Sequence, residues 1–79
     1  MATDARTFPE IWNSLTSGEQ LDLRDLILEK TKATSNTFWF WKKGASMPAS
    51  RTDRRTIARV VSTFLNVNAS EHTLFPRKR

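Results

Sequence analysis

A run of four consecutive aromatic residues, 38–41, constrains the fold of this chain more than any other feature. The run lies between polar residues that suit a helix start and a glycine that suits a helix end. Each helical residue turns by about 100°, so Phe38 and Trp41 share one face while Trp39 and Phe40 point roughly the opposite way. The core of so short a chain can take up only one of these pairs. We therefore expect Phe38 and Trp41 to be buried and Trp39 and Phe40 to be exposed.

Charge is divided unevenly along the chain. Residues 1–29 hold six acidic and two basic side chains, a net charge of −4, whereas residues 30–79 hold eleven basic and two acidic ones, a net charge of +9. The total of +5 would serve solubility alone. Because the positive charge surrounds the aromatic segment, we favour a polyanionic partner, namely a nucleic acid.

Composition excludes several classes of protein. The 79 residues predict one domain, 1–79, with flexible tails at 1–6 and 76–79. With no cysteine, no apolar leader and no run long enough for a bilayer, we expect a cytoplasmic protein without membrane contact. One histidine, no tyrosine and scattered carboxylates give no metal-ligand spacing and no nucleophile with a base. We expect a non-enzyme without metal or cofactor.

Hydrophobic spacing predicts an all-α fold of four to five short helices without strands. Pro48 makes the segment 45–50 a loop. The predicted helices cover residues 8–15, 16–31, 34–43 and about 50–66, with one more short turn within 68–75.

Leucines of the second predicted helix are spread round more than one face. Leu23, Leu26 and Ile27 cluster together, while Leu21 and Leu28 lie elsewhere. Such a helix is either central in the fold or shared with a second copy, so a homodimer is compatible with the sequence.

The second helix, the turn 32–34 and the third helix together have the pattern of a helix-turn-helix. In that arrangement a short capped helix can enter the major groove, whose width of about 12 Å admits one helix. An ordinary helical hairpin, in which the polar residues only cap a helix, fits the pattern equally well.

The residues of this segment also match the motif of a known family. Its buried positions are occupied here by Ile27, Leu28, Ala33, Phe38 and Trp41. The helix ends at Lys43 and Gly44 with Pro48 shortly after, and the chain closes with Leu74, Phe75 and Pro76. In these features residues 16–76 resemble the lambda-repressor-like (Cro/C1-type) helix-turn-helix family. That family commonly has glycine where this chain has Lys32, and a small residue where it has Leu28. We expect either a left-handed backbone at Lys32 or a different turn.

The resemblance implies sequence-specific binding of double-stranded DNA by a small transcriptional regulator. Because a lone domain of this size offers a limited contact area, we expect tight binding to need two copies on half-sites one helical turn apart. The corresponding base-contacting residues are Thr34, Ser35, Asn36, Trp39, Phe40 and Lys43. The residues expected to contact phosphates are Lys32, Lys42, Arg51, Arg54 and Arg55. The arginines could instead pair with Asp53 or with the acidic second helix.

Alternatives remain for the exposed aromatic pair. Trp39 and Phe40 could contact DNA, could anchor a protein partner, or could fold back against Phe8 or Trp12 of the first helix. If they anchor a protein, the chain is an interaction adaptor on the same helical scaffold.

Overall fold

Helices account for most of the chain. The computed structural model describes residues 3–76, in which an isolated bridge between Thr3 and Asn68 is the only β-type pairing. The prediction of an all-α fold is confirmed. The helices are α1 (Phe8–Ser14), α2 (Ser17–Thr31), α3 (Ser35–Lys43), α4 (Arg51–Leu65) and α5 (Glu71–Leu74). Residues 1–2 and 77–79 of the predicted tails lie outside the described residues.

Each of these helices begins at a hydroxyl side chain. The N-cap residue has an extended backbone, and its oxygen accepts a hydrogen bond from a backbone N–H in the first turn, which would otherwise lack a partner. In α1 and α2 a glutamate in the first turn bonds back to the cap and completes a capping box. The caps are Thr7, Thr16, Thr34, Ser50 and Ser70.

Three helices end in a left-handed residue, and two of these residues are not glycine. Lys32 ends α2 with φ of 60° and Asn66 ends α4 with φ of 54°. Of the two alternatives that the sequence left open at Lys32, the left-handed backbone is therefore the one adopted. Gly44 ends α3 with φ of 79°, and a Cβ atom there would lie 3.1 Å from Cγ of Pro9. Glycine at residue 44 thus serves both the turn and the close approach to α1.

An aromatic cluster joins α3 to α1 and to the end of α5. The ring of Phe8 lies 5.9 Å from Phe38 and 5.6 Å from Phe75, and the ring of Trp12 lies 5.1 Å from Phe38. These distances are those of edge-to-face or tilted aromatic pairs. Because the cluster takes up Phe38 and Trp41, the orientation of α3 is fixed, and its opposite side must face outward.

The rest of the core lies between α2 and α4, which pack against each other along their length. Leu23 and Ile27 of α2 are fully buried, as are Ile57 and Val61 of α4. Leu26 shares a side of α2 with Leu23 and Ile27, but it does not join them in the core, and 37% of it is exposed. It lies about 100° round the helix from Ile27, at the edge of the side that α4 covers, where it lines a surface hollow with residues of α4.

Residues 3–6 of the predicted amino-terminal tail are hydrogen-bonded to the rest of the fold. The backbone N–H of Asp4 donates to the carbonyl of Asn68 over 3.1 Å. Arg6 pairs with Asp4 over 2.7 Å and donates to the Ser14 hydroxyl over 3.1 Å. The Asp4 bond connects the segment before α1 to the loop between α4 and α5, and the Arg6 bond connects it to the end of α1.

Candidate functional site

Trp39 and Phe40 lie on the outward side of α3. They are 43% and 39% exposed, and their rings meet edge to face with centres 5.1 Å apart. They contact each other, whereas Phe8 and Trp12 are occupied by Phe38. The alternative in which the pair folds back on α1 is therefore wrong, and the predicted division of the four aromatics is confirmed.

Lys43 adds a positive charge to this aromatic pair. It follows Trp39 by four residues, one helical turn, and its Nζ atom lies 4.2 Å from the centre of the Trp39 ring. Such a distance is that of a cation–π contact. The ammonium group remains exposed and can still donate to a ligand.

Polar side chains continue the same side toward the start of α3. Ser35 and Asn36 precede Trp39 and Phe40 by one helical turn, and both are exposed. Thr34 differs, since its hydroxyl accepts from the N–H of Thr37 over 3.2 Å as the helix cap. We call the five exposed residues of this side the outer face of α3. They are Ser35, Asn36, Trp39, Phe40 and Lys43.

The segment of the chain that contains α3 carries only positively charged side chains. Between residues 30 and 52 the chain has five basic side chains and no acidic one. Ion pairs within residues 3–76 use arginines or His72, and none uses a lysine. The lysines near α3 therefore keep their charge available for an external anion.

Lys32 and Lys42, expected at phosphates, lie near the two ends of α3. Lys32 is exposed at the left-handed end of α2, three residues before α3 begins. Lys42 is half-buried, and its Nζ atom lies 5.4 Å from the centre of the Trp12 ring on α1. Positive charge thus flanks the outer face, but Lys42 is turned toward α1.

The three arginines at the start of α4 gather round one carboxylate. Nε atoms of Arg51 and Arg55 lie 3.3 and 3.4 Å from Oε1 of Glu71, and Nε of Arg54 lies 3.8 Å from its Oε2. The sequence suggested Asp53 or the acidic second helix as the acidic partner, and this expectation is wrong. Glu71 is brought to α4 because Leu74 and Phe75 of the same segment close the core.

Arg54 differs from its two neighbours in burial. Its side chain is only 13% exposed, and Nη1 donates to the carbonyls of Pro48 and Ala49 over 2.7 and 3.1 Å. These bonds connect the loop after α3 to the first turn of α4. Arg51 and Arg55 remain largely exposed and can reach a phosphate, whereas the guanidinium of Arg54 is occupied by the protein itself.

Glu71 was not among the residues selected from sequence. Partial burial raises the pKa of its carboxyl, but hydrogen bonds from Arg51 and Arg55 and the charge of Arg51 outweigh this effect, so the pKa lies below its ordinary value. The carboxylate is therefore ionised at neutral pH and leaves the arginine cluster with a net positive charge. Its distance of 20 residues from Arg51 leaves no local spacing by which to recognise the contact.

Comparisons with models of protein families, with curated proteins and with solved structures find no match for this chain. In the part of the chain that the structure describes, no group of three metal-ligating side chains is close enough to hold an ion. Of the helices within residues 3–76, none combines the length and apolar character needed to cross a bilayer. The site is therefore characterised by its own geometry: a short helix that exposes polar, aromatic and basic side chains on one side.

Proposed function

We propose that this chain is a cytoplasmic helix-turn-helix regulator that binds specific sequences of double-stranded DNA. In this proposal α2, the turn at Lys32 and α3 form the helix-turn-helix, and α3 enters the major groove. The observation that carries the proposal is the outer face of α3, where all five side chains are exposed and none is acidic. An α-helix with its side chains is about 10–12 Å in diameter, so α3 can enter a major groove about 12 Å wide.

Side chains of the outer face suit the readout of base edges. Asn36 can pair with the N6 and N7 atoms of adenine, and Lys43 can donate to O6 and N7 of guanine. Trp39 and Phe40 can pack against thymine methyl groups, the apolar feature of the major groove. Ser35 can bond to either kind of base, while Thr34 reaches the DNA only at the helix start.

Four basic side chains, exposed or half-buried, contact the phosphates in this proposal. Lys32 and Lys42 flank α3, and Arg51 and Arg55 supply the excess positive charge of the cluster round Glu71. Arg54 acts as a positioning residue, because its bonds to the loop fix the start of α4. Phosphate contacts set orientation and overall affinity, whereas the outer face sets sequence preference.

The test begins with selection of bound sequences from a random duplex pool, followed by fluorescence anisotropy on the selected duplex over a salt series. Four phosphate contacts predict a slope of log K against log salt of about −3.6. Arg55→Ala should reduce that slope by about 0.9 and weaken all duplexes alike. Asn36→Ala should instead weaken the selected duplex by roughly tenfold or more and leave a scrambled duplex unchanged.

Asn13→Ala provides a matched control, since Asn13 is an exposed asparagine on α1, away from the outer face. It should bind both duplexes as the parent chain does. The proposal of DNA recognition would be rejected if no sequence were enriched from the pool, or if the affinity for the duplex did not change with salt concentration.

A second candidate is a protein-interaction adaptor that uses the same face. The contact between two exposed aromatic rings favours it, because tryptophan and phenylalanine are frequent anchors of protein interfaces. Trp39→Ala separates the candidates. Loss of a protein partner with DNA affinity intact would support the adaptor, whereas weaker binding to the selected duplex supports DNA recognition.

A further inference from the structure

A second exposed surface lies where α2 meets α4, and it shares no residue with α3. Leu26 of α2 and Phe64 of α4 form an apolar ridge there, with a shallow hollow on each side. One hollow is lined by Asp22, Asp25 and Glu29 together with the ridge. The other is lined by the ridge with Lys30, Thr56, Arg59, Val60 and Thr63. The surface therefore has an apolar centre, an acidic flank and a basic flank.

The opposition of the flanks follows from helical periodicity. On α2 the acidic side chains Asp22 and Glu29 lie on one side of Leu26, and Lys30 lies on its other side toward α4. Arg59 reaches the same hollow from α4. The ridge therefore separates the acidic side chains from the basic ones.

Four of the five charges that border the ridge have no ion-pair partner within the described fold, and the fifth, Asp25, pairs with Arg24 over 3.2 Å. In residues 3–76, Asp22, Glu29, Lys30 and Arg59 take part in no ion pair, in contrast with the arginines round Glu71. Leu26 is exposed although it neighbours the core residue Ile27. An apolar centre bordered by charged side chains is typical of the core and rim of a protein interface.

We infer that this surface binds a second copy of the same chain. In a dimer with two-fold symmetry the same patch of both copies is in contact, so the patch must be complementary to itself. An axis that runs along the ridge places the acidic flank of one copy opposite the basic flank of the other, and Leu26 opposite Leu26. A uniformly acidic or basic patch could not do this, because like charges would then meet.

The dimer would leave the outer face of α3 free on both copies, since only α2 and α4 contribute to the patch. The inference depends on those two helices and not on DNA binding. It also predicts that substitutions in the patch weaken self-association without changing recognition by α3. Substitutions in the outer face of α3 should do the reverse.

The test is sedimentation velocity over a range of protein concentrations, in the absence of nucleic acid. The parent chain should shift from a mass of 9.1 kDa toward twice that value as concentration rises. Arg59→Glu should weaken self-association by roughly tenfold or more, because acidic groups then face acidic groups. The double variant Asp22→Lys with Glu29→Lys should do the same, because basic groups then face Arg59.

The decisive measurement is a mixture of these two variants. Each associates poorly with itself, but in the mixed pair every acidic flank faces a basic one, so heterodimers should form at least as readily as the parent dimer. Lys43→Glu on α3 is the matched charge-reversal control and should self-associate like the parent. Circular dichroism of each variant checks that the helices are retained.

Three results would overturn the inference. One is a parent chain that stays at 9.1 kDa throughout the concentration range. Another is a dimer unaffected by Arg59→Glu, which would mean that a different surface is used. The third is a mixture of the two charge-reversed variants that remains monomeric.

Discussion

The Nζ atom of Lys43 lies 4.2 Å from the centre of the Trp39 ring, one turn further along the exposed side of α3. The indole is therefore held by its own helix rather than by the core. Phe40 contacts the same ring edge to face, so the three side chains form one exposed cluster. An aromatic group that is already ordered loses less conformational entropy when it binds a partner, whether DNA or protein.

Coupling between Lys43 and Trp39 can be measured by a double-mutant cycle with Lys43→Met and Trp39→Leu. We expect a coupling free energy of about 0.5–1 kcal/mol in urea unfolding, the range of an exposed cation–π contact. A cycle of Lys42→Met with Trp39→Leu is the control, because Lys42 lies over Trp12 instead. Equal coupling in both cycles would contradict the contact.

Neighbouring aromatics of α3 should differ sharply in their contribution to stability. Phe38 is 1% exposed, so Phe38→Ala should lower the free energy of unfolding by about 3–5 kcal/mol. Trp39→Ala should lower it by no more than about 1 kcal/mol, since the indole is exposed. Urea titration followed by circular dichroism measures both. A larger loss for Trp39→Ala than for Phe38→Ala would mean that α3 is rotated.

The arginines of α4 should also differ. Arg54→Ala removes the donor to the carbonyls of Pro48 and Ala49, and we expect a loss of about 1–3 kcal/mol in unfolding free energy. Arg51→Ala should change stability little, because that side chain is largely exposed. Urea unfolding of both variants gives the comparison. If Arg51→Ala were the more destabilising, Arg54 would not be the residue that fixes the loop.

Ionisation of Glu71 should make the stability of the fold depend on pH. Its pKa is lowered in the folded state, so the ionised carboxylate stabilises the fold above its unfolded pKa, and this contribution is lost as pH falls through the folded pKa. Thermal unfolding from neutral pH to about pH 3 should show a smaller fall in Tm for Glu71→Gln than for the parent chain. Asp4 and Glu10, whose pKa values are also lowered, are present in both proteins and cancel in the difference. Parallel pH profiles would refute the role of Glu71.

The left-handed end of α2 offers a stabilising substitution. Lys32 has φ of 60°, which costs an L-residue about 1–2 kcal/mol that glycine avoids. Lys32→Gly should therefore raise the free energy of unfolding by about 1 kcal/mol. Glycine also increases the conformational entropy of the unfolded chain, and this effect offsets part of the gain. Lys30→Gly, two residues earlier and within α2, should lower it by about the same amount. Both are measured in urea at low protein concentration.

Features that depend on neighbours in sequence could be predicted in detail. Thr16 with Glu19, and Gly44 at the end of α3, follow local rules of capping. The division of the aromatics of α3 follows from the helical repeat alone. The outer face of α3 was therefore recognisable in advance as a candidate site, although the sequence left open whether Trp39 would fold back on α1.

Contacts between distant residues could not be predicted in this way. Glu71 is 20 residues from Arg51, and the choice between Glu71, Asp53 and the acids of α2 depends on where α5 returns to α4. Likewise Leu26 and Phe64 line the same hollows only because α2 packs along α4. Periodicity placed Leu26 near the core stripe, and only the packing of the helices decided that it lies outside.

By itself the sequence determined the helices, their ends and the side of α3 that must face outward, because each depends on hydrogen bonds and side-chain directions within a few residues. Only the tertiary structure decided which carboxylate the arginines share and that Leu26 lies on an exposed ridge between acidic and basic side chains. Those outcomes depend on how whole helices are packed into one core, and packing is a property of the complete chain rather than of any segment.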